Sequence, residues 1–288
     1  MKKILIDTDI GGDVDDALAL AMALNSSELD IAAITNVYLA NAWRAGVTHR
    51  ILQTWGVDDR IPVAAGAEKP LVGWWSDDHH PRPLDSFGTF RGEELPCAAD
   101  VIVQAAKQYE GLTIVAIGPL TNVALALAKN PEIAERVEIV MMGGQINRAV
   151  PEWNILCDPE AARAVFESGA KITMVGKDVT DRCQFTREEV DAIARTDNPR
   201  CRLLGEMMAV FMEKWGYLPI LHDPLALSVL LWEDILTLEE KRVLIETRGE
   251  FTRGVSVDCT WDDGAKVLVA TDVRVQEFKN RVVEMLRK

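Results

Sequence analysis

Short apolar runs alternate with helix-period apolar patterns along the chain. Ile4-Leu5-Ile6 is followed, after a polar stretch, by Ala17-Leu18-Ala19-Leu20-Ala21-Met22-Ala23-Leu24. Two further runs, Leu29-Asp30-Ile31-Ala32-Ala33-Ile34 and Leu112-Thr113-Ile114-Val115-Ala116-Ile117, are almost continuously apolar. A strand covered on both faces reads this way, which favours a parallel sheet between helix layers. The pattern predicts strands over 3–7, 31–36, 61–65, 113–117, 138–142 and 171–175. Helices are predicted over 15–25, 40–55, 98–108, 122–129 and 159–167. Such alternation predicts an α/β fold: an open, mostly parallel, doubly wound sheet with helices on both faces.

Helix starts carry their own signals. Asp158-Pro159-Glu160 offers a capping Asp followed by Pro at the first helical position, and Thr186-Arg187-Glu188-Glu189 reads as a capping box. From 186 to about 232 the pattern is mostly helical, followed by strands over 242–246 and 266–270 and a last helix near 273–286. There is no internal repeat and no long Pro/Gly/Ser linker, so residues 1–288 are read as a single domain. One irregular stretch, 69–96, holds Trp74, Trp75, His79, His80 and several prolines, a composition typical of lids and binding loops.

Composition narrows the function. The chain has 288 residues, 48% of them hydrophobic, enough for a sizeable core. Its formal charge of −14 argues against nucleic-acid or anionic-membrane partners. No window reaches the roughly 18 apolar residues of a membrane span. The first residues run straight into a strand with no signal-like segment, so a cytoplasmic location is expected. The five cysteines include no CxxC pair, and reduced thiols are expected.

The candidate chemistry begins between the first strand and first helix. Five of the ten residues from Asp7 to Asp16 are Asp. Carboxylates crowded in this way repel one another unless a cation sits among them. A hard divalent ion with oxygen ligands, Ca²⁺ or Mg²⁺, satisfies that demand. Other polar groups fall at predicted strand ends: Asn36, the turn 118–122 and the segment 143–154, with His222-Asp223-Pro224 opening a later helix. In an open α/β sheet such ends converge on one crevice. Asp9, Asp16 and Asp223, with the main-chain carbonyl of Ile117, are candidate ligands.

Taken in order, these residues resemble the inosine/uridine-preferring nucleoside hydrolase family. The opening Asp7-Thr8-Asp9, with Gly and then Asp15-Asp16-Ala17-Leu18, is similar to the family's N-terminal Asp motif. Asn36 and Asn41, Val63 to Leu71, and Gly118-Pro119-Leu120-Thr121-Asn122 follow the family order. So do Met142-Gly143-Gly144, Glu152-Trp153-Asn154, Asp158-Pro159-Glu160, His222-Asp223-Pro224 and Thr252-Arg253-Gly254. The resemblance implies hydrolysis of the N-glycosidic bond of ribonucleosides, a tightly held Ca²⁺, a small nucleoside as substrate and a homodimer or homotetramer. It implies Asp9, Asp16, Asp223 and the Ile117 carbonyl as ligands and Asp15 as general base acting on a metal-bound water. Asn36, Asn147, Glu152 and Asn154 would bind ribose, and His222 would stand as acid near the leaving base. Trp74 and Trp75, or Trp215 and Tyr217, are candidates to stack on the base.

The chemistry fits these residue types. Cleavage builds an oxocarbenium-like charge on the ribose, so it needs an activated water and a neutralised leaving base. Two departures from the family pattern stand out. The Asp loop carries two extra residues, leaving Asp13 without a counterpart and able to share or replace the metal role of Asp9. The segment 73–80 does not align with the family's His-Gly-x-x-Gly-like stretch, so base preference is not fixed. Two other readings compete. A haloacid-dehalogenase-type phosphohydrolase would use Asp7 and Asp9 with Mg²⁺. A non-catalytic calcium-dependent ribose or nucleoside binder would have no need of Asp15.

Overall fold

The computed structural model describes residues 1–73, 83–88, 94–259 and 264–288, apart from the side chain of Asp85. In chain order the strands and α-helices begin with β1 (Lys2–Thr8), α1 (Asp15–Asn25), β2 (Leu29–Asn36), α2 (Asn41–Trp55), β3 (Val63–Ala65) and α3 (Ala98–Gln108). The middle of the chain supplies β4 (Leu112–Ala116), α4 (Thr121–Lys129), β5 (Val137–Met142), α5 (Trp153–Cys157), α6 (Pro159–Phe166), β6 (Lys171–Val175) and α7 (Lys177–Thr180). Then follow α8 (Arg187–Ala194), α9 (Pro199–Trp215), α10 (His222–Ser228), β7 (Leu236–Ile245), β8 (Ser256–Asp258), β9 (Ala265–Val273) and α11 (Val275–Leu286).

The sheet order is β3-β2-β1-β4-β5-β6-β9-β7-β8. All pairings from β3 through β9 are parallel, while β7 pairs antiparallel with both β9 and β8. The expected doubly wound sheet is therefore present, with an antiparallel extension at one edge. Strand β1 separates β2 from β4, so the strand order reverses beside it. That reversal opens a crevice at the carboxyl ends of β1 and β4.

Alternation along each strand feeds two cores. Ile4 and Ile6 of β1 enter the layer formed with α1, α2, α9, α10 and α11, whereas Leu5 enters the layer of α3, α4 and α6. Helix α1 is apolar all round and residues 15–23 are buried throughout, as expected for a helix sealed inside one layer. The predicted capping box forms, with Glu189 N donating to Thr186 Oγ1 at 3.2 Å and Thr186 N to Glu189 Oε2 at 2.7 Å. Asp158 caps α6 ahead of Pro159. No helix among the described residues is long and apolar enough to cross a membrane.

Polar side chains set the geometry of the crevice from below. Asn122, fully buried, donates through Nδ2 to Asp7 Oδ1 at 2.8 Å and to the Asn36 carbonyl at 3.0 Å. Its Oδ1 accepts the Ala67 amide at 2.8 Å. One side chain thus ties the ends of β1 and β2 to the segment after β3. Gly66 is required beside it, because a Cβ there would lie 2.0 Å from Asn122 Oδ1. Replacing Asn122 with Ala strands an amide, a carbonyl and a carboxylate in a dry interior. The expected loss is about 3 kcal/mol in urea unfolding. An unchanged unfolding midpoint would show that these bonds do not hold the strand ends.

Candidate active site

The carboxyl edge of the sheet holds a cavity of about 370 Å³. Its floor comes from the loop after β1, the turn after β4 and the start of α10. Asp15 and Asp16 stand in the first turn of α1 and Asp223 in the first turn of α10. They are 4%, 3% and 3% exposed, and one carboxylate oxygen from each lies within 4.8 Å of the other two. Residues 15 and 223 are far apart in sequence, yet the Asp223 amide donates to Asp15 Oδ2 at 3.2 Å. Thr8 Oγ1 donates to Asp16 Oδ1 and accepts the Ile10 amide at 3.1 Å, which fixes the second carboxylate. Neither Asp caps α1: its capping residue is Val14, with no side-chain cap bond.

Asp9 and Asp13 line the same cavity outside this tight trio. Ile117 also lines it, and Asn154 Nδ2 donates to the carbonyls of Ile117 at 3.3 Å and Met142 at 3.2 Å. Glu152 lines the cavity while capping α5, accepting the amides of Asn154 at 3.0 Å and Ile155 at 3.3 Å; it also accepts the Gly144 amide at 2.8 Å. His222 presents its ring to the cavity, with Nδ1 2.7 Å from Thr180 Oγ1.

Thus Asp9, Asp15, Asp16, Ile117, Glu152, Asn154, His222 and Asp223 meet in one place. Two expected ribose residues do not reach it. Asn36 is fully buried, with Nδ2 donating to the Ala64 carbonyl at 3.3 Å and Oδ1 accepting from Thr48 at 3.1 Å. Asn147 is exposed, its amide donating to Asp178 Oδ1 at 3.2 Å. Trp74 and Trp75 lie outside the described residues. Trp215 and Tyr217, at the end of α9, do line the cavity.

The electrostatics are severe. Burial first, and then neighbouring carboxylates, push Asp15 and Asp223 well above the usual range; burial and Asp9 do the same to Asp16. Burial also raises Asp13 to about 6. Among the described residues, no Lys or Arg makes an ion pair with Asp9, Asp13, Asp15, Asp16 or Asp223. A buried, unpaired group of carboxylates from distant segments suits a hard divalent cation. Burial and the Lys177 charge push His222 down to about 4. At neutral pH it is therefore a neutral ring, not the charged acid suggested by its ordinary range.

One contributor had no sequence signal. Arg44 of α2 is fully buried and donates to the main-chain carbonyls of Asp9, Ile10 at 3.0 Å and Leu39 at 2.7 Å. It braces the Asp loop from behind, and its charge partly offsets those of Asp9 and Asp16. An Arg inside an amphipathic helix looks like a surface residue, so only the fold reveals this role.

Asp7 removes one competing reading. It is fully buried, and its Oδ1 accepts from Thr35 at 2.5 Å and Asn122 at 2.8 Å. It does not line the cavity and so cannot attack a phosphoester as nucleophile.

Comparison with known proteins supports the same conclusion. A sequence model described as inosine-uridine preferring nucleoside hydrolase matches residues 4–280. The pyrimidine-specific ribonucleoside hydrolase RihA of Salmonella gallinarum is 35% identical over 310 aligned positions, spanning 99% of this chain and 98% of the relative. RihA of Escherichia coli O9:H4 is 34% identical over the same span. Among solved structures, a plant nucleoside hydrolase, PpNRh1, superposes with a TM-score of 0.88 at 27% identity, covering 99% of both chains. A purine-preferring ribonucleoside hydrolase from Gardnerella vaginalis gives 0.86 at 27% identity, covering 99% of this chain and 98% of that one. With its match running through the Asp loop, the Gly-Pro-Leu-Thr-Asn turn and the His-Asp pair that build the cavity, the chain belongs to the inosine-uridine preferring nucleoside hydrolase family and is a ribonucleoside hydrolase.

Proposed function

We propose that this hydrolase holds one Ca²⁺ between Asp9, Asp16, Asp223 and the Ile117 carbonyl, and that Asp15 is its general base. The observation that carries the reading is the convergence of Asp15, Asp16 and Asp223, all buried and none of them ion-paired with a Lys or Arg among the described residues. When bound, the cation supplies a Lewis acid and an anchor for a vicinal diol. Asp15, in hydrogen-bond reach of the Asp223 amide, is held rigidly at the cavity floor, where it accepts a proton from the attacking water. Glu152 and Asn154, which line the same cavity, take the sugar hydroxyls. Sugar hydroxyls ordered by such groups reduce the entropic cost of attack. A site built around hydroxyls also rejects sugars that lack them. Trp215 and Tyr217 offer ring surfaces to the base. His222 lines the same cavity, its Nδ1 hydrogen-bonded with Thr180 Oγ1, and serves the leaving base.

Two experiments check this assignment. Asp15→Ala lowers kcat on the best nucleoside about 10²–10⁴-fold while calcium stays bound, as measured by elemental analysis. Asp223→Ala loses calcium and activity together. Near-normal turnover in the first variant, or full calcium occupancy in the second, contradicts the roles given.

The pH dependence of stability follows from the raised carboxylates. A metal-free folded chain keeps protons that the unfolded chain releases above the ordinary Asp value of 3.8. Their stabilising contribution is complete below that value and is lost as pH rises through the folded values, about 6 for Asp13. The metal-free protein therefore melts at lower temperature at about pH 8 than at about pH 5, and added Ca²⁺ raises Tm more at the higher pH. Equal calcium-induced shifts at both pH values count against a carboxylate cation site.

A further inference from the structure

The lengthened Asp loop places in the cavity one carboxylate that the metal, base and sugar assignments leave unused. Asp13 lines the cavity, yet it is not part of the tight trio formed by Asp15, Asp16 and Asp223. One of its oxygens accepts the Val14 amide at 2.5 Å, which orients the carboxylate from its own backbone. Its neighbour Gly12 also lines the cavity and accepts the Trp215 indole N–H at 3.3 Å. The loop and the end of α9 are therefore joined. Trp215, tied to the loop through Gly12, and Tyr217, within electrostatic reach of Asp13 and Asp15, line the cavity with Asp13, and Tyr217 is held edge to face by Phe211, with centroids 5.3 Å apart. Glu152, Asn154 and Ile117, from the segments after β4 and β5, line the cavity too.

The two sets differ in chemistry. Glu152, Asn154 and Ile117 offer hydrogen-bonding groups suited to a sugar. Trp215, Tyr217 and Asp13 offer two aromatic rings and a single carboxylate, which suits a flat heterocycle with N–H groups at its edge. A carboxylate accepts hydrogen bonds and repels a carbonyl oxygen. We infer that Asp13 is a specificity-determining residue for the base, favouring ribonucleosides whose base carries an exocyclic amino group over counterparts with a carbonyl at the same ring position. This rests on the nucleoside hydrolase reading above and assigns the two extra loop residues a task in substrate choice.

The test compares cytidine with uridine and adenosine with inosine, pairs that differ at that edge. kcat/KM is measured for the calcium-loaded wild type, Asp13→Asn and Asp13→Ala, with calcium affinity determined by calorimetry for each protein. Asp13→Asn is nearly isosteric and retains an acceptor for the Val14 amide, so a folded variant is available should Asp13→Ala fail. The wild type is expected to favour the amino member about tenfold or more in the ring class it cleaves. Asp13→Ala brings that ratio to near unity, and Asp13→Asn, whose amide can donate to a carbonyl, shifts it towards the oxo member. Calcium affinity stays within about twofold of wild type. A wild-type ratio near unity, a preference that survives both substitutions, or a uniform loss on all four nucleosides with loss of calcium would overturn the inference. Absence of base release from every nucleoside by the wild type would instead strike at the activity itself.

Discussion

Buried like charge is the constraint on which this structure turns. Asp9, Asp15, Asp16 and Asp223 are all less than a tenth exposed, and among the described residues no Lys or Arg makes an ion pair with any of them. Desolvation and mutual repulsion both disfavour their ionised forms. Folding alone cannot make such an arrangement cheap. A cation held among them would offset both, and the surrounding structure keeps the carboxylates in place. Thr8 fixes Asp16, the Asp223 amide fixes Asp15, and Arg44 secures the carbonyls of the loop between them.

The sheet explains why these groups meet. Neighbours β2 and β4 flank β1, so the loops leaving β1 and β4 diverge around a crevice. Helix α10 then packs against α1 and carries Asp223 to the same point. Beneath the crevice, Asn122 joins three strand ends through hydrogen bonds with no solvent to replace them. The binding edge is thus rigid where the chemistry needs fixed geometry. His222 beside it is neutral because of its surroundings, a reminder that position changes what a side chain does.

Much of this was legible in the sequence. Apolar runs located the parallel strands because strands buried on both faces leave a continuous signal. Helices α1 and α3 match their predicted bounds, and the capping signals at Thr186 and Asp158 form as expected. The antiparallel edge was harder. β7 begins at Leu236, earlier than predicted, because residues 237–240 are exposed and held by backbone pairing to β9. The three-residue β8 leaves no periodic trace. At the site, eight expected residues converge, since carboxylates and polar turns at strand ends announce themselves. Asn36 and Asn147 do not line the cavity: the first is buried with its amide hydrogen-bonded inside the fold and the second is exposed, differences that composition does not record. Arg44 escaped notice for the converse reason: its partners are main-chain carbonyls, which no side-chain pattern reveals.

On the proposed reading, the buried acids of this ribonucleoside hydrolase act as one cation site. The most direct measurement is a calorimetric titration of calcium into chelator-stripped protein, with nucleoside hydrolysis followed at each addition. The account predicts one ion bound per chain and activity that rises in step with occupancy. Full hydrolysis by the metal-free protein, or no calcium bound at saturating concentration, would contradict it.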